Sequence, residues 1–264
     1  MPADLEALRT NLLELERVLV AFSGGADSAF LAWVANDTLG SDAVQCFTAV
    51  SPSLAQSELE DCASLAEEWG LNWSHVETAE MDNAAYRIND ENRCFHCKSA
   101  LMDVVEPIAY QKELTVVLGV NIDDLGDHRP GQSAAQERLA RFPLVDAGFS
   151  KEDVREHSKK LGLRTWDKPA AACLASRIPY GTQVSVSLLR RLDRAESALK
   201  NLGFDQLRVR DYGEIARLEI DLDQLSRAVD LRAEIVEAVQ SVGYQYVTLD
   251  LEGFRSGNLN HSIQ

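Results

Sequence analysis

Two groups of residues have types and spacing that suit chemistry. The first is Ser23-Gly24-Gly25-Ala26-Asp27-Ser28, set between the apolar run Arg17 to Phe22 and the almost wholly apolar stretch Ala29 to Ala35. Its glycines allow close backbone approach, its amides and the start of a following helix can hold an anion, and its hydroxyls add donors. That is the make-up of a phosphate cradle, though not of the Walker type, because the lysine that would reach the β- and γ-phosphates is missing. An ordinary glycine-rich strand-to-helix turn is the plain alternative. The second group is drawn from five cysteines, an odd set that argues against a disulfide framework. Cys46 lies in an apolar run and Cys62 inside a helical pattern, so both read as small buried hydrophobes. Cys94, Cys97 and Cys173 sit in loop-like, polar or proline-flanked contexts and need a chemical explanation. Arg177, close behind Cys173, could lower a thiol pKa or bind a phosphate, or simply pack against Trp166 or Tyr180.

The elements that must position these residues alternate. Arg17 to Phe22, Val44 to Val50, Leu71 to Val76 and Thr115 to Val120 read as buried strands, and helical patterns lie between them. Ser57-Glu58-Leu59-Glu60 opens one helix that Gly70 ends, Ala100 to Ala109 is another, and Ser150-Lys151-Glu152-Asp153 caps a third that stops at Gly162. Alternation of this kind predicts an α/β fold with a doubly wound parallel sheet covered on both faces. Ligands of such sheets bind at the carboxyl ends of the strands, where the loops after Phe22 and Val120 fall. Trp166 to Thr182 reads as a long irregular loop, a kind of segment that is often functional. Beyond it come a helix from Ser187 to Leu202, strands at Gln206 to Tyr212 and Ile215 to Ile220, a helix from Leu222 to Val242 and a strand from Tyr244 to Leu249. The expected organisation is a domain over residues 1–182 and a smaller C-terminal α/β domain over 183–264.

A chain of 264 residues with 45% hydrophobic content can bury a substantial core. No apolar run approaches the ~18 residues of a membrane span, and the start lacks the basic and apolar stretches of a secretion signal, so a soluble, cytoplasmic protein with no membrane partner is expected. Twenty-six basic against 42 acidic residues leave a formal charge of -16, which repels phosphate backbones and anionic lipid. Long nucleic acids are therefore not expected partners. Arg190, Arg191, Arg194, Arg208 and Arg210 cluster in the last third, where they read as solvated faces or as local pockets for a small phosphorylated ligand.

The Ser23 to Ser28 motif resembles the signature of the PP-loop ATP enzymes, the adenine nucleotide alpha hydrolase-like fold. That resemblance implies ATP held so that a substrate oxygen attacks the α-phosphate. It also implies acidic residues after a later strand, matched by Asp123 and Asp124, where carboxylates could hold Mg²⁺. The alternative for both is a polar turn. Three further segments resemble one subfamily: Asn92-Arg93-Cys94-Phe95-His96-Cys97-Lys98, Asp123 to Gly131 including Asp127-His128-Arg129-Pro130, and Lys168 to Gly181 with Cys173 and Arg177 inside. They look like the LarE family, ATP-dependent sulfur transferases that make the nickel-pincer nucleotide of lactate racemase. The implied reaction adenylylates a carboxylate of a pyridinium dicarboxylate mononucleotide, and a sulfur nucleophile then displaces AMP. In one version Cys173 gives up its own sulfur; in another, Cys94, Cys97 and Cys173 hold a [4Fe-4S] cluster whose free iron carries the sulfide. A zinc site and a redox dithiol remain open for the pair. The resemblance also implies Arg208 and Arg255 as contacts to the phosphate of the small-molecule nucleotide substrate, near Glu219 and Gly253 to Asn258, and a homo-oligomer. Glu196 and Glu219 read equally well as surface carboxylates. The competing enzyme class is a PP-loop tRNA thiolase, against which the acidic charge counts; a nucleotide-binding regulatory module without turnover is the non-enzymatic alternative.

Overall fold

The apolar tetrapeptide Val18-Leu19-Val20-Ala21 sets the architecture, because its neighbours cover both of its faces. In the computed structural model, which describes residues 3–126, 135, 137–169 and 172–255, these residues form β1 (Val18–Ala21). Asp127-His128-Arg129-Pro130-Gly131, Ala170-Ala171 and Ser256-Gly257-Asn258 lie outside the described residues. Ahead of β1 stands α1 (Leu5–Leu15), an element the sequence reading does not anticipate, with Leu8 and Leu12 buried and the Asp4 carboxylate accepting from the Glu6 N–H at 3.0 Å.

From β1 the chain passes through α2 (Ala26–Leu39) to β2 (Val44–Val50), then through α3 (Gln56–Trp69) to β3 (Trp73–Glu77). Next come α4 (Ala84–Ile88), α5 (Arg93–Lys112) and β4 (Thr115–Leu118), followed by α6 (Pro143–Asp146) and α7 (Lys151–Lys160). All four strands run parallel in the order β3-β2-β1-β4. Strand alternation sends Val18, Val20, Cys46 and Val117 into one core with Leu8, Leu12, Phe30, Cys62 and Val154. Leu19, Phe47, Val116 and Leu118 go into a second core with Leu101, Met102 and Val105 of α5. Burial on both faces is why these strands read as continuous apolar runs. α5 starts at Arg93 rather than at the expected Ala100, so Cys94 and Cys97 stand in its first turn and not in a loop. The His96 N–H already reaches the Asn92 carbonyl at 3.2 Å, so helical bonding begins within this polar stretch, and the Ser99 hydroxyl finds its partner in the Phe95 carbonyl at 2.9 Å.

The described residues of Met1–Ser51, Glu58–Tyr86 and Glu91–Ala171 form one compact unit, and those of Pro52–Ser57, Arg87–Asp90 and Ala172–Gln264 a second. In the second, α8 (Val186–Asn201) is capped by Ser185, which accepts from the Leu188 N–H at 3.2 Å. β5 (Leu207–Tyr212) pairs antiparallel with β6 (Ile215–Ile220), which pairs parallel with β7 (Tyr246–Leu249). The single helix expected from Leu222 to Val242 is instead a 3-10 turn, α9 (Leu225–Asp230) and α10 (Arg232–Ser241). The break falls at Leu231, whose ψ of 20° leaves the helical region.

Four residues for which the sequence leaves a surface reading open are buried here: Arg210 is 1% exposed, Glu219 0%, Glu196 4% and Arg208 5%. Pairing is the reason for Arg210, Glu219 and Glu196. Arg210 donates to Glu219 at 2.7 Å and Arg217 reaches the other oxygen at 2.9 Å. Arg177 takes Glu196 in a fork at 2.8 and 2.9 Å, and the Val209 N–H adds a bond to the same carboxylate at 2.9 Å. Arg190 and Arg194 are exposed, as the solvated reading has it. No helix among the described residues is long and apolar enough to cross a membrane.

Removing one member of such a pair leaves an uncompensated buried charge, so Glu196→Ala should cost about 3–5 kcal/mol of stability. The double variant Arg177→Met, Glu196→Leu should recover most of the loss in chemical denaturation. A single variant as stable as the parent would mean that water reaches Arg177.

Candidate active site

The Ser23 to Ser28 loop leaves the carboxyl end of β1 and turns into α2. Phe22 is tied to β2 on both sides of its peptide: its N–H reaches the Phe47 carbonyl at 2.8 Å, and its carbonyl accepts from the Thr48 hydroxyl at 2.7 Å. Trp73 Nε1 in turn donates to that hydroxyl at 2.8 Å. Inside the loop, Ser28 Oγ accepts from the Ser23 N–H at 3.2 Å, meets Ser23 Oγ at 3.0 Å and donates to the Gly25 carbonyl at 3.2 Å. These bonds curl the chain into a ring that opens on the first turn of α2. Gly24 is needed on two counts: its φ is +68°, and a Cβ there would lie 2.8 Å from Cys62 Sγ. Cys62 is therefore the floor of the loop as well as part of the core, and burial pushes its thiol up to about 11.

Gly119, just past β4, lies directly against this turn, since a Cβ there would sit 2.7 Å from the Ser28 nitrogen. That approach delivers the next loop to Asp27. Asn121 Nδ2 donates to Asp27 Oδ1 at 3.0 Å, and the side chains of Asn121 and Asp124 each accept from the other's backbone N–H, at 3.2 and 3.4 Å. Burial raises the Asp27 carboxyl above the ordinary aspartate value; the Asn121 bond opposes the rise, the Asp124 charge adds to it, and Lys151 works against it. Two carboxylates forced together in a poorly solvated corner are a donor set that suits a hard divalent cation. Lys151 Nζ lies 3.0 Å from Asp124 Oδ1 and supplies positive charge there. Asp123 is differently employed: it is exposed, and its Oδ2 accepts from the Lys151 N–H at 2.7 Å at the start of α7. Of the two acids predicted to hold Mg²⁺, Asp124 is thus the one facing Asp27.

Cys94 is exposed and Cys97 half-buried, three residues apart in the first turn of α5 and so on one side of it. Lys98 follows them. Desolvation lowers its ammonium below the ordinary lysine value, with the Cys97 and Cys94 sulfurs opposing. In the second unit, half-buried Cys173 precedes a 3-10 turn over Leu174–Arg177, and the Leu174 N–H is fixed on the Ser53 carbonyl at 2.8 Å. Arg177 Nη1 donates to the Cys173 carbonyl at 3.2 Å and to Ser176 Oγ at 3.1 Å while its other nitrogens hold Glu196. Arg177 thus braces the backbone that carries the thiol, and Glu196, which no local sequence pattern singles out, braces Arg177. Among the described residues, no three His, Cys, Asp or Glu side chains are gathered as a metal-holding group.

Arg208 of β5 shares its burial with Arg177 and Arg210 against the carboxylates of Glu196 and Glu219. Burial, then the Arg177 and Arg210 charges, bring its pKa down to about 10. Its guanidinium lies 4.8 Å over the Phe254 ring, and among the described residues no hydrogen bond or ion pair engages it. A desolvated, positively charged group left without an anion is an anion site in waiting. Arg255 is exposed and pairs with Glu252.

The family model for NAD synthase matches residues 7–102. An uncharacterised protein of Synechocystis sp. is 48% identical over 100% of this chain and 99% of its own length. The pyridinium-3,5-bisthiocarboxylic acid mononucleotide synthase of Lactiplantibacillus plantarum is 36% identical over 96% of this chain and 92% of its own. One of the subunits of the glutamine-hydrolysing GMP synthase of Thermoplasma acidophilum is 27% identical over 70% of this chain and 66% of its own.

The raised Asp27 carboxyl has a pH signature. Ionising it costs stability once the pH rises through its raised pKa, and costs nothing below the ordinary carboxylate value of about 4. Without metal at pH 7–8, Asp27→Asn should melt higher than the parent by about 2–4 °C, with the gap closing below pH 4. Mg²⁺ should raise the melting temperature of the parent and not of the variant. Equal responses of the two proteins would remove Asp27 from the cation site.

Proposed function

The chain belongs to the LarE family of PP-loop enzymes, and from that premise we propose that it is an ATP-dependent sulfurtransferase. It adenylylates a carboxylate of pyridinium-3,5-biscarboxylic acid mononucleotide and converts it to a thiocarboxylate. The observation that carries this reading is the Ser23 to Ser28 ring with its Asp27 held by Asn121 beside Asp124, in a chain that follows a mononucleotide synthase over nearly all of both lengths.

The free amides at the start of α2, with Ser23 and Ser28, bind the phosphates of ATP. Asp27 and Asp124 would hold Mg²⁺, which when bound neutralises triphosphate charge. A carboxylate oxygen of the substrate attacks the α-phosphorus, the bond to the bridging oxygen breaks, and pyrophosphate leaves. The acyl adenylate so formed is attacked at its carbonyl carbon by sulfur, and AMP departs with the carboxylate oxygen. In the sacrificial version the Cys173 thiolate attacks, and its Cβ–S bond then breaks with loss of the Cα proton, leaving dehydroalanine on the chain and the thiocarboxylate on the substrate; Arg177 and Glu196 hold the Cys173 peptide still. Cys94, Cys97 and Cys173 are the residues that would hold a [4Fe-4S] cluster, which when bound would supply an iron with a position open to sulfide. Arg208 and Arg255 receive the phosphate of the substrate nucleotide; Arg208 is suited to it because it is buried, charged and without a hydrogen bond or ion pair among the described residues. A homo-oligomer is part of the same proposal, and exposed Tyr212, Ile215 and Tyr246, adjacent in the sheet register, offer apolar surface for it.

Cys173→Ala should abolish thiocarboxylate formation and leave pyrophosphate release intact; continued thiolation would overturn the assignment. Anaerobic purification with iron analysis and intact mass before and after turnover decides the sulfur source. Iron with an unchanged mass supports the cluster, and loss of one hydrogen sulfide equivalent supports sacrifice of Cys173. Arg208→Met should raise the KM for the nucleotide substrate about tenfold or more with little change in that for ATP. An unchanged substrate KM would place the phosphate elsewhere.

A further inference from the structure

Lys168 stands behind the phosphate loop with all three donors of its ammonium engaged: the Gly24 carbonyl at 3.1 Å, Glu58 Oε2 at 2.9 Å and Asp61 Oδ2 at 2.6 Å. Its side chain is 18% exposed. The two acids stand three positions apart on α3, and Arg164 also holds that helix, through Asp61 Oδ1 at 2.7 Å and Glu68 Oε2 at 2.8 Å. Desolvation works to lower the Lys168 ammonium, yet Asp61 and Glu58 outweigh it and hold its pKa above the ordinary lysine value. The lysine is charged, and none of its donors is left over for a phosphate.

What it does follows from peptide geometry. In a trans peptide the carbonyl and the next N–H point in opposite directions, and no cis peptide occurs among the described residues. Fixing the Gly24 carbonyl toward α3 therefore turns the Gly25 N–H to the opposite side, where no hydrogen bond engages it among the described residues. Gly24 and Gly25 both lack a side chain, so this peptide plane could otherwise rotate at little steric cost. Rotated, it would present a carbonyl oxygen where a donor is wanted.

We propose that Lys168 is a positioning residue of the phosphate loop, a strut between the Gly24 carbonyl and the Glu58 and Asp61 carboxylates that keeps the Gly25 N–H turned toward bound phosphate. A Walker-type lysine would touch the phosphates itself; this one orients a backbone donor from behind. The inference rests on the reading of Ser23 to Ser28 as the ATP loop.

The test measures binding of ATP with Mg²⁺, of pyrophosphate and of adenosine to the parent and to Lys168→Met. Affinity for ATP and pyrophosphate should fall about tenfold or more, the scale of one donor to a charged group, while adenosine stays within about twofold. An equal fall for all three ligands would mean a general structural role and overturn the strut, as would unchanged ATP binding. The second variant, Glu58→Gln with Asp61→Asn, should also weaken ATP. Tighter ATP binding there would reveal a lysine freed to reach the phosphates directly, and would overturn the proposal. A parent chain that binds neither ATP nor pyrophosphate would overturn the loop reading and the strut together, whereas loss of the expected effect in the variants alone sinks only the strut.

Discussion

The backbone of Gly119 rests on the first turn of α2 with no room for a side chain between them, and the chemistry of the first unit depends on that contact. β4 lies beside β1 in the sheet, so the loops leaving the two strands emerge together at their carboxyl ends. Only a glycine lets them close to hydrogen-bond distance. Once closed, Asn121 reaches Asp27, Asp124 adds its charge, and a carboxylate that would otherwise sit at the solvated start of a helix becomes reluctant to ionise. The site thus carries an unfavourable charge arrangement that a cation would relieve, a common state of affairs where a protein gives up stability for function.

The second unit handles charge in the opposite way. Its arginines and glutamates are buried but forked, Arg177 on Glu196 and Arg210 on Glu219, so most of the desolvation cost is offset by bonds of good geometry. Arg208 is the exception, held over Phe254 with no hydrogen bond or ion pair among the described residues. The network has a further mechanical effect, because Arg177 uses its remaining donors on the backbone beside Cys173. A rigid ion pair thereby reaches the one peptide that carries the thiol of interest.

Much of this is legible in the chain. The four parallel strands announce themselves as apolar runs because both of their faces are covered, and Ser23 to Ser28 is recognisable because glycine, hydroxyl and acid act within six consecutive residues. α1 carries a fainter signal, an Asp4 cap with Leu8 and Leu12 one turn apart, which is easily lost among the polar residues around it. The start of α5 is obscured by the polar residues around Cys94 and Cys97, which show no apolar periodicity of their own. The burial of Glu196 and Glu219 is not legible in the chain, since charged residues are ordinarily exposed and only their partners bury these two.

The sequence by itself determined which local chemistries were available: a turn of glycines, hydroxyls and an acid suited to phosphate, a pair of thiols three residues apart, a third thiol near an arginine, and strand-helix alternation that puts the loops after Phe22 and Val120 at the carboxyl ends of parallel strands. Tertiary structure decided which of those residues act on one another. Asp124 rather than Asp123 faces Asp27, Arg177 donates to the Cys173 carbonyl, and Lys168 meets a carbonyl 144 residues away. The reason is range. Caps, turns and alternation are fixed by neighbours within a few residues, whereas hydrogen bonds and charge pairing depend on distances of a few ångströms that only the packed chain sets.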